Sequence, residues 1–330
     1  MKAAISERYG PPEVVHIGSV AIPPPHDGDL LIHVRAASVN RSDTAFRAGH
    51  PRLARAATGL RKPRWRILGT EFSGEVVATA HGATGFALGD PVYGINPWRF
   101  GAHATFIRVP ARGTVAHKPE RLTFEQAAAV CDGGLLALMN LRSAHVAAGQ
   151  KVVIYGASGS IGTAGVQLAK EMGAHVVAVT APEHAELVRS LGADEVIDYT
   201  STDFTENHDA YDVIFDAVGK LTFARCSAAL QRGGVFVPTD GARNMLLALS
   251  HAPVGGRRAV MVLPPRYRKE DVMYLSELIN AGRYRPVIDR SYALDDIVEA
   301  HRYVDTGQKV GNVVIQVAAE PLPASLRPSI

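Results

Sequence analysis

Cysteine is nearly absent, with only Cys131 and Cys226 in 330 residues. Two cysteines can build neither a disulfide framework nor a four-cysteine metal cluster, and such sparing use fits a reducing compartment. Long apolar runs are missing as well. No stretch approaches the ~18 residues of a membrane span, and the opening MKAAISERYG lacks the apolar core of a secretion signal, so a soluble cytoplasmic protein is expected. Charge of one sign is not in excess either: 35 Lys and Arg against 32 Asp and Glu leave a formal +3. The one locally basic stretch, residues 52–66, has Trp65 as its lone aromatic and reads as a solvated loop. Neither nucleic acid nor a membrane is an expected partner. Internal repeats and low-complexity segments are also lacking, which excludes a solenoid.

What is present describes an ordinary globular chain, 47% hydrophobic and 20% charged. Its length exceeds the size at which one core stops growing, so two domains are expected. Up to about residue 120 short strands with Gly and Pro punctuation (residues 30–36, 72–79, 91–94 and 104–109) suggest a compact, mostly β domain. Helical spacing of Ala, Leu and Met follows over residues 123–141. Between 151 and 264 six apolar, β-branched runs (152–155, 176–179, 195–197, 213–215, 235–237 and 259–263) alternate with helical stretches. That alternation implies right-handed βαβ units and an open, doubly wound parallel sheet of the α/β class. A helix over 269–281 and strand-like text at 312–317 complete the chain, and the proline-bearing tail 318–330 reads as a surface extension. The expected domains are therefore 1–120 completed by about 286–330, and 121–285.

Directly after the first of the six strands stands Gly156-Ala157-Ser158-Gly159-Ser160-Ile161-Gly162, followed by an amphipathic helix. A dinucleotide diphosphate must approach backbone N–H groups at a helix N-terminus, where the dipole favours negative charge and bulky side chains are in the way. Gly159 would permit the close contact and Gly162 tight helix packing. Counted back from Gly162, however, Ala157 stands where G-x-G-x-x-G has its first glycine. The second strand ends Val179-Thr180-Ala181-Pro182 and meets no acid before Glu183. A carboxylate there would bind the ribose 2′-OH of NAD and repel a 2′-phosphate, so its absence favours NADPH over NADH. The residues near that turn that could meet a 2′-phosphate are His184, Arg189 and Tyr199.

Taken with YGPPEVV near the start, Val39-Asn40-Arg41-Ser42-Asp43, Leu68-Gly69-Thr70-Glu71, Gly89-Asp90-Pro91-Val92, Ser190-Leu191-Gly192-Ala193-Asp194 and Gly311-Asn312-Val313-Val314, the sequence resembles the medium-chain dehydrogenase/reductase superfamily. The likeness is to its zinc-free quinone oxidoreductase-like branch and covers nearly the whole chain. The resemblance implies a Rossmann domain inserted into a GroES-like substrate domain. Zinc-dependent members place a Cys where this chain has Asn40, a His where it has Thr70, and commonly a Cys near Asp132, so no bound zinc is expected.

The expected chemistry is zinc-independent hydride transfer from NADPH to a quinone or an α,β-unsaturated carbonyl, with water or a solvent-linked group returning the proton. Alternatives are an NAD(P)-dependent alcohol or aldehyde dehydrogenase, and a non-catalytic NADPH-binding sensor. Catalytic candidates are Asn40, whose amide could donate to a substrate oxygen or the nicotinamide ribose, and Tyr93, a phenolic donor. Their alternatives are a turn residue and packing. The cofactor set is Ser158, Gly159, Ser160, Ile161 and Gly162 at the turn, with Thr180, Tyr199, Val218, Thr239, Gly241 and Val262 at strand ends. Lys309 and Asn312 join it from the C-terminal segment, unless they only shape a turn around Gly311. Two departures from the family pattern stand out, Leu136 for a Thr and Ala181 for a Ser. A homodimer through residues 259–263 is expected by analogy alone.

Overall fold

The computed structural model describes residues 1–50, 55–250 and 253–318; most of the tail at 318–330, and residues 51–54 of the basic loop, lie outside the described residues. The chain forms two compact units, one made of Met1–Asp132, Arg268–Asn280 and Pro286–Ile330, the other of Gly133–Tyr267 and Ala281–Arg285.

In the first unit β1 (Lys2–Ser6) pairs antiparallel with β2 (Val15–Ser19). A larger sheet contains β3 (Asp29–Val39), β4 (Glu71–Thr79), β5 (Pro91–Ile95), β6 (Phe106–Pro110) and β7 (Val115–His117), completed by β14 (Ile288–Ala293) and β15 (Asn312–Gln316). Its order is β14-β15-β3-β4-β5-β7, with β6 on β3. Chain segments far apart in sequence therefore share one sheet. Leu30, Ile32, Val34, Phe72, Val92 and Val313 form the core, against Ile297, Ala300 and Val304 of the helix Ile297–Asp305. Each such side chain taken out of water contributes roughly 1.5–3 kcal/mol.

The second unit holds β8 (Lys151–Tyr155), β9 (His175–Thr180), β10 (Glu195–Asp198), β11 (Tyr211–Asp216), β12 (Leu230–Pro238) and β13 (Arg258–Ala259). All pairings are parallel, in the order β10-β9-β8-β11-β12-β13. This is the doubly wound Rossmann arrangement, with the order reversing at β8. Its central strands bury both faces, which is why they read as continuous apolar runs.

Two features differ from the sequence reading. The sixth run, 259–263, is strand only at its start: beyond Ala259 a single bond from Val260 N–H to Phe236 O (2.9 Å) continues the ladder, and Leu263 is half exposed. The helix Lys269–Asn280, assigned by sequence order to the second domain, packs within the first unit. Its Val272 carbonyl and Ser276 hydroxyl meet Tyr93, and Lys269 Nζ donates to Ala111 O at 3.1 Å.

Candidate active site

In the second unit the loop from β8 enters the helix Ser160–Glu171 with Gly159 as N-cap. The first helical bond runs from Thr163 N–H to Gly159 O (2.8 Å), so the N–H groups of Ile161 and Gly162 have no partner within the helix. The tight turn falls on Gly156 (φ +78), and Ala157 is wholly buried beneath it, which accounts for the shifted glycine spacing. A Cβ on Gly162 would sit 2.1 Å from Gly156 O, so packing alone demands glycine there. Gly159 differs, because a Cβ would meet no protein atom closer than 3.6 Å. The fold gives no internal reason for glycine at 159, whereas a diphosphate approaching the N–H groups at this helix N-terminus does.

Other expected cofactor residues gather at the carboxyl ends of these strands. Thr180, 1% exposed at the end of β9, has a buried Oγ1 without a partner among the described residues, and Tyr199, half exposed, donates its N–H to Thr180 O at 3.3 Å. The carboxylate of Asp216 accepts from the N–H groups of Val218 (3.2 Å), Gly219 (2.9 Å) and Leu221 (2.7 Å), and Thr239 Oγ1 donates to Asp216 O at 2.9 Å. Gly241 takes φ +104 just beyond. Val262 lies past the shortened β13. The glycine turn, an orphaned buried hydroxyl and a clamped loop together fit a nicotinamide dinucleotide.

In the first unit a buried polar group surrounds Glu71, the first residue of β4. Ser38 Oγ (2.6 Å) and Asn40 Nδ2 (2.7 Å) donate to its Oε2, and Asp132 N–H donates to Oε1 at 2.7 Å. Asn40 Nδ2 also donates to Ser38 Oγ at 3.0 Å. Both amide hydrogens of Asn40 are thereby used inside the protein. The expectation that Asn40 donates to substrate is thus corrected: what it has left is Oδ1, buried and without a partner among the described residues. Ser42 Oγ and Thr70 Oγ1 are likewise buried and unpartnered. A bond from Gly69 N–H to Asp43 Oδ1 (3.1 Å) ties these two segments together, and Asp43 Oδ2 accepts from Asn40 N–H at 2.8 Å. Orphaned groups of this kind each cost about 1–3 kcal/mol unless a ligand or water meets them.

Burial governs the charges here. It pushes the Asp43 carboxyl up to about 7, and raises Glu71 and Asp132, which sit close enough to oppose each other's ionisation. Burial lowers Lys309 to about 8, against the pull of Asp132 and Glu71. His103 is pushed down to about 4 by burial, so it is neutral, with Nε2–H donating to Ser38 O at 2.8 Å.

This donor set does not fit zinc. Asn40 brings an amide and Thr70 a hydroxyl, both Glu71 oxygens are already hydrogen-bonded, and burial beside Glu71 and Asp132 holds the Cys131 thiol protonated. Among the described residues no three His, Cys, Asp or Glu side chains are grouped to hold a metal ion.

Three further expected residues hydrogen-bond within the protein itself. Tyr93 is wholly buried, with its hydroxyl on Val272 O (3.1 Å) and Ser276 Oγ (2.7 Å), so packing accounts for it and no proton-donor role remains. Asn312 Nδ2 donates to Ala129 O and Val287 O, both at 3.1 Å, and Lys309 Nζ to Gly311 O at 2.6 Å; both hold backbone in place. Sequence reasoning gave no chemical role to Ser42 or Thr70. Ser42 was signalled only by its position two residues after Asn40, and Thr70 by standing where zinc-dependent relatives carry a histidine.

Residues 26–120 match the family model described as alcohol dehydrogenase GroES-like domain, and residues 191–315 the one described as zinc-binding dehydrogenase. The 2-methylene-furan-3-one reductase of Solanum lycopersicum is 32% identical over 333 residues, 96% of this chain and 79% of that protein. The chloroplastic NADPH-dependent alkenal/one oxidoreductase of Arabidopsis thaliana is 30% identical, also over 96% of this chain and 79% of its own length. The solved quinone oxidoreductase from Coxiella burnetii superposes with a TM-score of 0.88 at 29% identity, covering 96% of this chain and 99% of that one. The chain belongs to the medium-chain dehydrogenase/reductase superfamily, in its zinc-free quinone oxidoreductase-like branch.

Proposed function

We propose that the protein binds NADPH and, without zinc, reduces a quinone or an α,β-unsaturated carbonyl. The observation that carries this reading is the group around Glu71: an amide and hydroxyls stand where a Lewis acid would need thiolate or imidazole, and the carboxylate is already satisfied. Hydrogen bonds alone cope better with a conjugated enolate, whose charge is spread, than with an isolated alkoxide. The names of the relatives agree: two plant proteins are named for conjugated carbonyls, and the Coxiella protein is named for quinone.

A bound nicotinamide dinucleotide supplies the hydride. The N–H groups of Ile161 and Gly162 are assigned to its diphosphate, and Thr180 and Tyr199 to its ribose end. The lack of a carboxylate closing β9 supports NADPH over NADH. The Thr70 and Ser42 hydroxyls are assigned as donors to the substrate oxygen, and Asn40 Oδ1 as acceptor for a hydroxyl of cofactor or substrate. Water returns the proton. A cytoplasmic setting and a homodimer are proposed with this reading; the former draws on two free, buried cysteines, and no helix among the described residues is long and apolar enough to cross a membrane.

The test is spectrophotometric NADPH consumption against quinones, enones and saturated ketones, with and without a strong chelator. Turnover of conjugated acceptors that survives chelation is expected. Activity confined to saturated ketones and abolished by the chelator, or NADPH binding without turnover of any acceptor, overturns the proposal.

A further inference from the structure

The first unit contains a cavity of about 420 Å3, none of whose lining residues belongs to the group around Glu71. Its floor is apolar. Ile5 and Ile67 meet across an antiparallel bridge, Ile107 comes from β6, and Trp65 and Phe100 form a wall with ring centroids 5.4 Å apart. The volume lies near the low end of small-molecule sites, roughly 300–1,000 Å3.

Four guanidinium groups line the same cavity, and they are not equivalent. Arg66 is paired with Glu7, while Arg108 donates to Pro24 O at 2.9 Å and lies 3.3 Å from Asp29. The α-amino group of Met1 is taken up by Val20 O at 2.7 Å. Arg64 and Arg99 have no carboxylate partner among the described residues; Arg64 rests over the Trp65 ring, 5.5 Å from its centroid. Phe100, 3% exposed at φ 54, is fixed in place by Asn96, whose carbonyl accepts from Phe100 N–H at 2.9 Å and whose Nδ2 donates to Phe100 O at 3.0 Å, so this wall of the cavity is rigid.

We propose that this cavity binds an amphipathic carboxylate: a flat apolar body of one or two rings against Trp65 and Phe100, its single negative charge paired by Arg64 and Arg99. Guanidinium groups left without counter-charge above an apolar floor favour such a ligand, because each presents a planar pair of donors to a carboxylate. The site is separate from the reductase reading and does not rest on it.

Calorimetric titration of 2-naphthoate into the full chain tests it, with 2-naphthamide as the neutral comparison and each run repeated with NADPH present. One-to-one binding is expected, with the acid about tenfold or more tighter than the amide. The double variant Arg64→Gln, Arg99→Gln should weaken the acid by about the same factor and leave the amide unchanged. Ala21→Trp, at the exposed rim of the cavity, should exclude both. Thermal melting and NADPH titration of each variant check that the fold is intact, and failure of NADPH binding in every form would count against the reductase reading alone. Absence of naphthoate binding at millimolar concentration, equal affinity for acid and amide, acid affinity unchanged in the double variant, or binding that survives Ala21→Trp overturns the proposal.

Discussion

Gly159 and Gly162 share one turn, yet alanine at the two positions should fail in different ways. At 162 the added Cβ would lie 2.1 Å from Gly156 O and 2.7 Å from Ala157 Cα, both backbone atoms with nowhere to go. Gly162→Ala should therefore cost about 1–3 kcal/mol of stability, as overpacking does. At 159 the nearest protein atom is 3.6 Å away, and φ −75 with ψ 176 suits any residue. There, the entropic gain from alanine, ~0.4–1 kcal/mol, is offset by the loss of a better N-cap residue, so Gly159→Ala should melt close to wild type. Its cost should fall on the cofactor, because the methyl group occupies the approach to the helix N–H groups. Losing one charge-assisted hydrogen bond, ~1.5–3 kcal/mol, weakens NADPH binding roughly ten- to a hundredfold. Thermal melts by circular dichroism and calorimetric NADPH titrations separate the two variants. A Gly159→Ala protein that binds NADPH as tightly as wild type would refute the reasoning.

The remaining predictions concern the first unit. Glu71→Gln turns an NH2 toward groups that already donate, so urea denaturation should show a loss of about 1–3 kcal/mol, and kcat/KM should drop as Asn40 loses its anchor; unchanged stability would show that the carboxylate is not caged as described. Tyr93→Phe should cost ~1 kcal/mol and leave kcat nearly untouched, whereas a large fall in kcat would restore the phenol as a proton donor. His103 titrates near 4 when folded, against about 6.5 in a free chain, so the stability it contributes is complete above about 6.5 and is lost as pH falls toward 4. The stability gap between wild type and His103→Gln, which keeps a neutral N–H donor, should narrow by up to about 3 kcal/mol over that window. Asp43, raised to about 7, acts in the opposite sense in both proteins and largely cancels in the difference. A gap independent of pH would rule this out.

Much of the second unit was legible because buried parallel strands leave uninterrupted apolar runs between helices. The same signal overreached at residues 259–263, where only Ala259 is buried and the apolar side chains after it are half-buried or exposed; Val262 and Leu263 continue the text of a strand beyond the end of β13. The glycine turn could be located but not apportioned, since only the backbone shows that packing explains Gly162 and leaves Gly159 unexplained. In the first unit the sequence indicated which residue types replace metal ligands, and missed their orientation. Asn40 looked like a donor until Glu71, 31 positions away, was seen to consume its hydrogens. Tyr93 looked available because its partner lies 179 positions along the chain, on a helix that sequence order assigns to the other domain. Side-chain direction set by distant partners leaves no local trace in a sequence.

The clamp that Asp216 places on residues 218–221 bears on how a ligand is chosen there. A loop ordered during folding has no freedom left to surrender on association, a saving of about 1–2 kcal/mol for each residue that would otherwise be frozen. It also cannot reshape itself around an ill-fitting guest, so under the proposed cofactor assignment selectivity at the carboxyl end of β11 rests on a fixed mould and not on a closing hand.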